Sequence, residues 1–242
     1  MDKSESAKQC EWFLILNGQE PDRVQWLRSF PEMFDPAVQS HDSLVLLRID
    51  ALQECGTADE VQELGLPMLD KLNGAMSAIH HCDALRFEGV GYFDENGQLK
   101  RHVFATAEGT LLRAYLSATG VTLNSDGSVP QSPPPQPSKV QAWFAKAMTD
   151  DDTGDFLYHV GNANNWYELY KAIEMLETIV GGERKLREAL ASKVSGWKTM
   201  RTTANYHRHA RGHRPTQLTD FRTAKSLVRQ AATVVIDADE HQ

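Results

Sequence analysis

The chain has 242 residues, of which 41% are hydrophobic and 24% charged, and its formal net charge is −8. This composition is ordinary for a globular protein, and the length suits one large domain or two of usual size. No apolar run approaches the roughly 20 residues of a membrane-spanning helix, and the polar N-terminus lacks the apolar stretch of a secretory signal. Cys10, Cys55 and Cys82 are widely spaced, which predicts neither a disulfide framework nor a zinc site. We therefore expect a cytoplasmic protein without a membrane partner or a cofactor.

The charge is unevenly divided along the chain. Residues 138–242 carry 15 Lys or Arg and 13 Asp or Glu, whereas residues 1–137 carry 10 and 20. Such a split suggests two units with different roles, and it makes attraction between them plausible.

The first half of the chain predicts a small α+β unit with an antiparallel sheet. Short apolar or alternating runs bounded by turn residues are typical of strands, and they occur at 11–16, 43–49, 86–93, 100–106 and 111–117. Asn96-Gly97 favours a hairpin turn between the third and fourth of these runs, because both residues tolerate positive φ.

Two helices are expected in the same unit. A short one spans 22–30 before Pro31. A long amphipathic one follows from the apolar residues that recur every three to five positions over 59–79, and Gly65 and Pro67 are expected to kink or restart it.

Residues 124–138 form the clearest boundary, since they hold five of the ten prolines and almost no apolar side chain. This composition predicts an extended linker between an α+β domain at 1–123 and a C-terminal domain at 139–242.

The C-terminal domain is predicted to be an all-α helical bundle. Helices are expected from Val140, after the acidic run 150–152, after a cap at Asn164-Asn165, and over 185–191. A last helix carries the apolar residues from Leu218 to Val235. Helices with short connections pack as antiparallel neighbours.

The most unusual stretch is the basic segment 195–229, which contains eight Lys or Arg and one acidic residue. Its cations are Lys198, Arg201, Arg208, Arg211, Arg214, Arg222, Lys225 and Arg229. An excess of cations in an acidic protein is typical of a surface that binds an anionic partner, and RNA or DNA phosphate is the commonest.

No phosphate-binding loop, nucleophile elbow, kinase motif or dinucleotide fingerprint occurs in the chain. His209 and His213 have a spacing that a metal pair could use, but no third ligand accompanies them, so no metal site is predicted. What remains is an Arg–His combination. Histidine can move a proton near neutral pH, and Arg can stabilise the charge of a phosphoryl transition state. Together they could cleave RNA without a metal.

The run Arg208-His-Ala-Arg-Gly-His213 resembles the Arg-(polar)-x3-His form of the Arg-x4–6-His motif of HEPN domains. These are helical bundles of toxin–antitoxin and antiphage systems, and many are metal-independent RNases. The resemblance covers residues 139–242 and implies that Arg208 binds phosphate and His213 moves the proton, with His209 as the polar residue. It also implies a homodimer in which two Arg–His pairs share one cleft. If the protein is such an RNase, we expect the N-terminal unit to have a sensing or regulatory role.

Several alternatives stay open at this stage. Arg201 and His207 satisfy the same spacing as Arg208 and His213. The basic segment can instead be a non-catalytic surface for nucleic acid or protein, with contacts from Lys198, Arg201, Arg211, Arg214 and Arg222. It can also serve a structural role, either by pairing with the acidic N-terminal half or through an ion pair of Arg208 with Glu168 or Glu174.

Overall fold

The computed structural model describes residues 11–104, 135–209 and 215–238. Over these residues the chain is an α+β protein, as the sequence predicts. The strands of the described segments are β1 (Trp12–Asn17), β2 (Ala37–His41), β3 (Leu44–Arg48), β4 (Arg86–Phe93) and β5 (Leu99–His102). They form one sheet in the order β2-β3-β1-β4-β5, and every neighbouring pair is antiparallel.

Strand β1 lies at the centre of this sheet because its side chains are apolar on both faces. Leu14, on one face, belongs to the large core that the sheet shares with the helices. Phe13 and Ile15, on the other face, form a smaller cluster with Leu46 of β3. Burial on both sides explains why this strand is an unbroken apolar run.

The sheet differs from the sequence prediction at its edges. Strand β2 was not predicted, and β5 ends at His102 instead of continuing to residue 106. The hairpin turn is confirmed, since Gly97 has a φ of 72° and its N–H donates to the Asp94 carbonyl oxygen at 2.9 Å. The strand predicted at 111–117 lies outside the described residues.

Two α-helices accompany the sheet: α1 (Glu20–Ser29) and α2 (Ala58–His80), with a 3-10 helix (Asp50–Glu54) between them. A capping box starts α2, in which Thr57 accepts from the Glu60 N–H and the Glu60 carboxylate accepts from the Thr57 N–H. The expected restart at Gly65 and Pro67 is wrong, because α2 runs through both residues without interruption, and the expected kink stays a prediction. Buried apolar side chains on either side of Pro67 hold the helix together despite the missing N–H donor.

The described residues after the linker are helical. They form α3 (Lys139–Ala147), α4 (Asp151–Asn162), α5 (Trp166–Ile179), α6 (Glu183–Leu190), α7 (Trp197–Arg208) and α8 (Phe221–Ile236). The cap predicted for α5 is confirmed, because the Asn165 side chain accepts from the N–H groups of Tyr167 and Glu168. Leu218 was expected in the last helix but precedes it, since Asp220 caps α8 and begins it at Phe221.

The helices on the two sides of the predicted linker share one core. A Cβ built at Gly74 of α2 would lie 2.6 Å from the Leu157 carbonyl carbon of α4, so the two backbones meet there. On α3, the buried Gln141 side chain donates to the carbonyl oxygens of Phe34 and Pro36 at 3.2 and 2.8 Å. The division of the chain into two domains at 124–138 stays a prediction. The helices that precede and follow this segment in sequence pack against each other.

Candidate nucleic-acid interface

Helix α7 carries the centre of the basic segment. It buries Trp197, Met200, Thr203 and Ala204 against the other helices. Gly196, with a φ of 84°, precedes it, and the extended backbone of His209 ends it. The three-to-four residue spacing of the buried side chains therefore leaves the remaining side of the helix for the charged residues.

Arg208, the predicted phosphate-binding residue, lies at the end of α7 and contacts α5. Its Nη1 lies 2.7 Å from Glu174 Oε1, and its guanidinium carbon lies 4.4 Å from the centre of the Tyr170 ring. Interaction with Tyr170 and the Glu174 carboxylate raises the pKa of Arg208, so the guanidinium stays charged. The Arg208 side chain is 32% exposed. Arg208 is thus held in one place while about a third of its side chain remains accessible.

Arg201, about two turns earlier on α7, contacts two carboxylates. Its Nε lies 2.6 Å from Glu177 Oε1, and its Nη2 lies 3.1 Å from Glu183 Oε2. These contacts tie α7 to α5 and to the start of α6. Because two acids surround it, Arg201 is less suited to a phosphate than the sequence suggested.

His207 stacks on Trp166, the first residue of α5. Their ring centres are 4.7 Å apart and their planes differ by 8°. Phe221 of α8 packs edge-on against the same Trp166 ring at 5.2 Å. The stack fixes the His207 ring beside an aromatic framework, and His207 keeps an exposed surface.

The other predicted site residues differ in their surroundings. Lys198, His209 and Arg222 are exposed. Within residues 11–104, 135–209 and 215–238, Lys198 and Arg222 have no ion-pair partner within 4.0 Å. Arg211, His213 and Arg214 lie outside the described residues, so the structure does not bring the pair Arg208 and His213 together or separate it.

The two paired arginines change the electrostatics expected for this segment. Of the two acids that the sequence offered as partners of Arg208, the structure has Glu174, whereas Glu168 contacts His159 Nδ1 at 2.9 Å. The partners of Arg201 and Arg208 thus belong to α5 and α6, not to the acidic N-terminal half. The charge of these two arginines is largely balanced locally.

We call the surface formed by Glu174, His207, Arg208 and His209, together with the buried Tyr170 ring that contacts Arg208, the α5–α7 surface. The sequence did not predict the contacts of Tyr170 with Arg208 and of Trp166 with His207. Both aromatic residues occupy positions that helical periodicity assigns to the core, so their sequence pattern carried no signal of a second role.

The described residues contain no cluster of three or more His, Cys, Asp or Glu side chains that could hold a metal ion. Across the same residues, none of the helices combines the length and the apolar character that crossing a membrane requires.

Comparison with protein-family models, with curated protein sequences and with solved structures finds no match to this chain.

Proposed function

We propose that the protein binds RNA or another nucleic acid through the α5–α7 surface. The observation that carries the proposal is the placement of Arg208, which is fixed by Glu174 and Tyr170 and still partly exposed. A guanidinium has five N–H donors in a planar fork, and a single carboxylate does not use all of them. Arg208 can therefore bind a phosphate with little loss of side-chain entropy.

The neighbours of Arg208 suit the same partner. His207 and His209 flank it in sequence and are exposed, and both imidazoles can donate hydrogen bonds to phosphate or base. Arg211 and Arg214 follow within six residues, and Arg222 is exposed at the start of α8, next to the Phe221 that packs on Trp166. Several cations close together in sequence favour a chain of phosphates as the ligand.

Binding is tested by fluorescence anisotropy with a mixed-sequence RNA pool at low salt. Arg208→Ala should weaken binding several-fold and reduce the slope of log affinity against log salt by about 1, as expected for one lost phosphate contact. Arg184→Ala is the matched control, because Arg184 is an exposed arginine of α6 that is also paired with a glutamate, Glu188. Equal effects of the two substitutions, or no RNA binding by the wild type, would contradict the proposal.

The second candidate is metal-independent RNA cleavage. It is favoured by Arg208 because a cation that is already held in position can stabilise a phosphoryl transition state without reorganisation. His213 would move the proton and His209 would be the polar residue, as the HEPN resemblance implies. That resemblance also suggests a homodimer and a role in a toxin–antitoxin or antiphage system.

Cleavage is tested with the same RNA pool in EDTA, comparing the wild type with the double variant Arg208→Ala/His213→Ala. Loss of cleavage with retained binding would support catalysis by this pair. An Arg201→Ala/His207→Ala variant tests the alternative pair. If the wild type binds RNA and leaves it intact, the enzymatic candidate is refuted and the binding function stands.

A further inference from the structure

A row of side chains on α5 extends the α5–α7 surface beyond the residues considered so far. Tyr167, Lys171 and Glu174 have the spacing i, i+4 and i+7, so they lie along one face of the helix. Tyr167 is 56% exposed, the most of any tyrosine or tryptophan side chain in the described residues. Lys171 Nζ lies 5.9 Å from the centre of the Tyr167 ring. The row therefore joins an accessible aromatic ring to a cation.

Glu174 connects this row to Arg208. Its Oε2 lies 3.2 Å from Lys171 Nζ, and its Oε1 lies 2.7 Å from Arg208 Nη1. One carboxylate thus holds two cations close to each other, and the three side chains together carry a net charge of +1. Lys171 and Arg208 each keep N–H donors that this one carboxylate does not use, and the oxygens of a phosphate group can accept from them.

Aromatic rings next to cations are how proteins bind single-stranded nucleic acid without base-specific contacts. A base stacks on the ring, and the cations contact the adjacent phosphate. A duplex offers no such partner, because its bases are already stacked on one another inside the helix.

We propose that Tyr167, Lys171 and Arg208 form a subsite for one nucleotide of a single strand, with an unpaired base on Tyr167 and its phosphate on the two cations. The proposal rests on the function proposed above and adds the class of ligand, which is single-stranded and not duplex. It assigns a binding role to Tyr167 and Lys171, which the sequence did not single out.

The test measures anisotropy of a fluorescein-labelled oligouridine of about 12 nucleotides, and of the same strand paired with its complement. Tyr167→Ala should weaken binding of the single strand about tenfold, the usual size of one lost base–aromatic stack. Tyr167→Trp, which keeps an aromatic ring, should bind at least as tightly as the wild type. Tyr158→Ala is the matched control, because Tyr158 of α4 is 45% exposed and lies outside the row.

The outcomes separate this proposal from the function on which it rests. If the wild type binds the single strand and Tyr167→Ala binds it equally well, the subsite is refuted and the RNA-binding function remains. Tighter binding of the duplex than of the single strand would also refute it. If the wild type binds neither oligonucleotide nor the mixed RNA pool, both proposals fail together.

Discussion

The backbones of α2 and α4 meet at Gly74, and this contact allows a quantitative prediction. A Cβ added at Gly74 would lie 2.6 Å from the Leu157 carbonyl carbon and closer still to its oxygen. On α4, a Cβ added at Gly161 would lie 3.0 Å from the Gly74 backbone. Gly74→Ala should therefore push the two helices apart, because backbone atoms cannot rotate away as a flexible side chain can.

Two opposing terms set the size of the effect. Alanine is favoured over glycine inside a helix by about 1 kcal/mol. Overpacking of a close-packed core costs about 1–3 kcal/mol and occasionally more, and a clash with backbone lies at the upper end. We expect a net loss of about 2 kcal/mol in the free energy of unfolding, which lowers the melting temperature by about 4–8 °C for a chain of this size.

Urea and thermal unfolding followed by circular dichroism measure this loss. Gly154→Ala on α4 is the control, because its added Cβ would meet the Lys71 Nζ at 3.0 Å and the Ala147 oxygen at 3.1 Å. The lysine can move, and the Ala147 backbone oxygen at 3.1 Å has to shift by only a few tenths of an ångström, so the change should stay within about 1 kcal/mol of the wild type. If Gly74→Ala is as stable as the wild type, α2 and α4 are not in direct backbone contact. The conclusion that the helices on the two sides of the predicted linker share one core would then also be wrong.

Three further predictions concern pH, a buried amide and the α5–α7 surface. Burial lowers the pKa of His80 and His81 from 6.5, so the unfolded chain binds more protons than the folded chain. The free energy of unfolding should therefore fall as the pH drops below 6.5. Urea melts that are identical at about pH 7.5 and pH 5.5 would contradict this. Gln141→Ala should cost about 2 kcal/mol in the same melts, since it leaves buried carbonyl oxygens without a donor, and a loss under about 0.5 kcal/mol would refute the role of these bonds. Glu174→Gln should tighten RNA binding in the anisotropy assay, because the amide oxygen of glutamine can still accept from Arg208 while the negative charge beside it is removed. Binding weaker than that of the wild type would contradict this expectation.

Much of the fold could be predicted because apolar side chains repeat with the period of the element that buries them. Strand β1 and helix α5 are examples, since their patterns reflect the faces that they bury. Strand β2 could not be predicted this way. Among the described residues it pairs only with β3, and its Gln39, Ser40 and His41 carry no apolar alternation. The shared core could not be predicted either, because periodicity identifies the apolar face of a helix and not the helix that covers this face.

Among the contacts at the candidate site, the sequence offered an ion pair of Arg208 with Glu168 or Glu174, and the structure has the pair with Glu174. Arg201 and Arg208 were identified from local charge density. Their carboxylate partners Glu177 and Glu174 lie 24 and 34 residues away in sequence, on a helix whose packing decides which acids they meet. Tyr167 was not identified, because an aromatic residue at a helix start resembles part of the core until its exposure is known.

Because α2 packs on α4, the stretches before and after residues 105–134 are held together by noncovalent contacts as well as by the peptide chain. Residues 105–134 join two stretches that already hold each other through the Gly74 crossing and the Gln141 hydrogen bonds. Their covalent link then contributes effective concentration, and the apolar contact itself does not depend on it. A protease that cuts between 105 and 134 would sever the peptide chain and leave a noncovalent complex of two fragments, which high salt would not dissociate because its interface is a hydrophobic core.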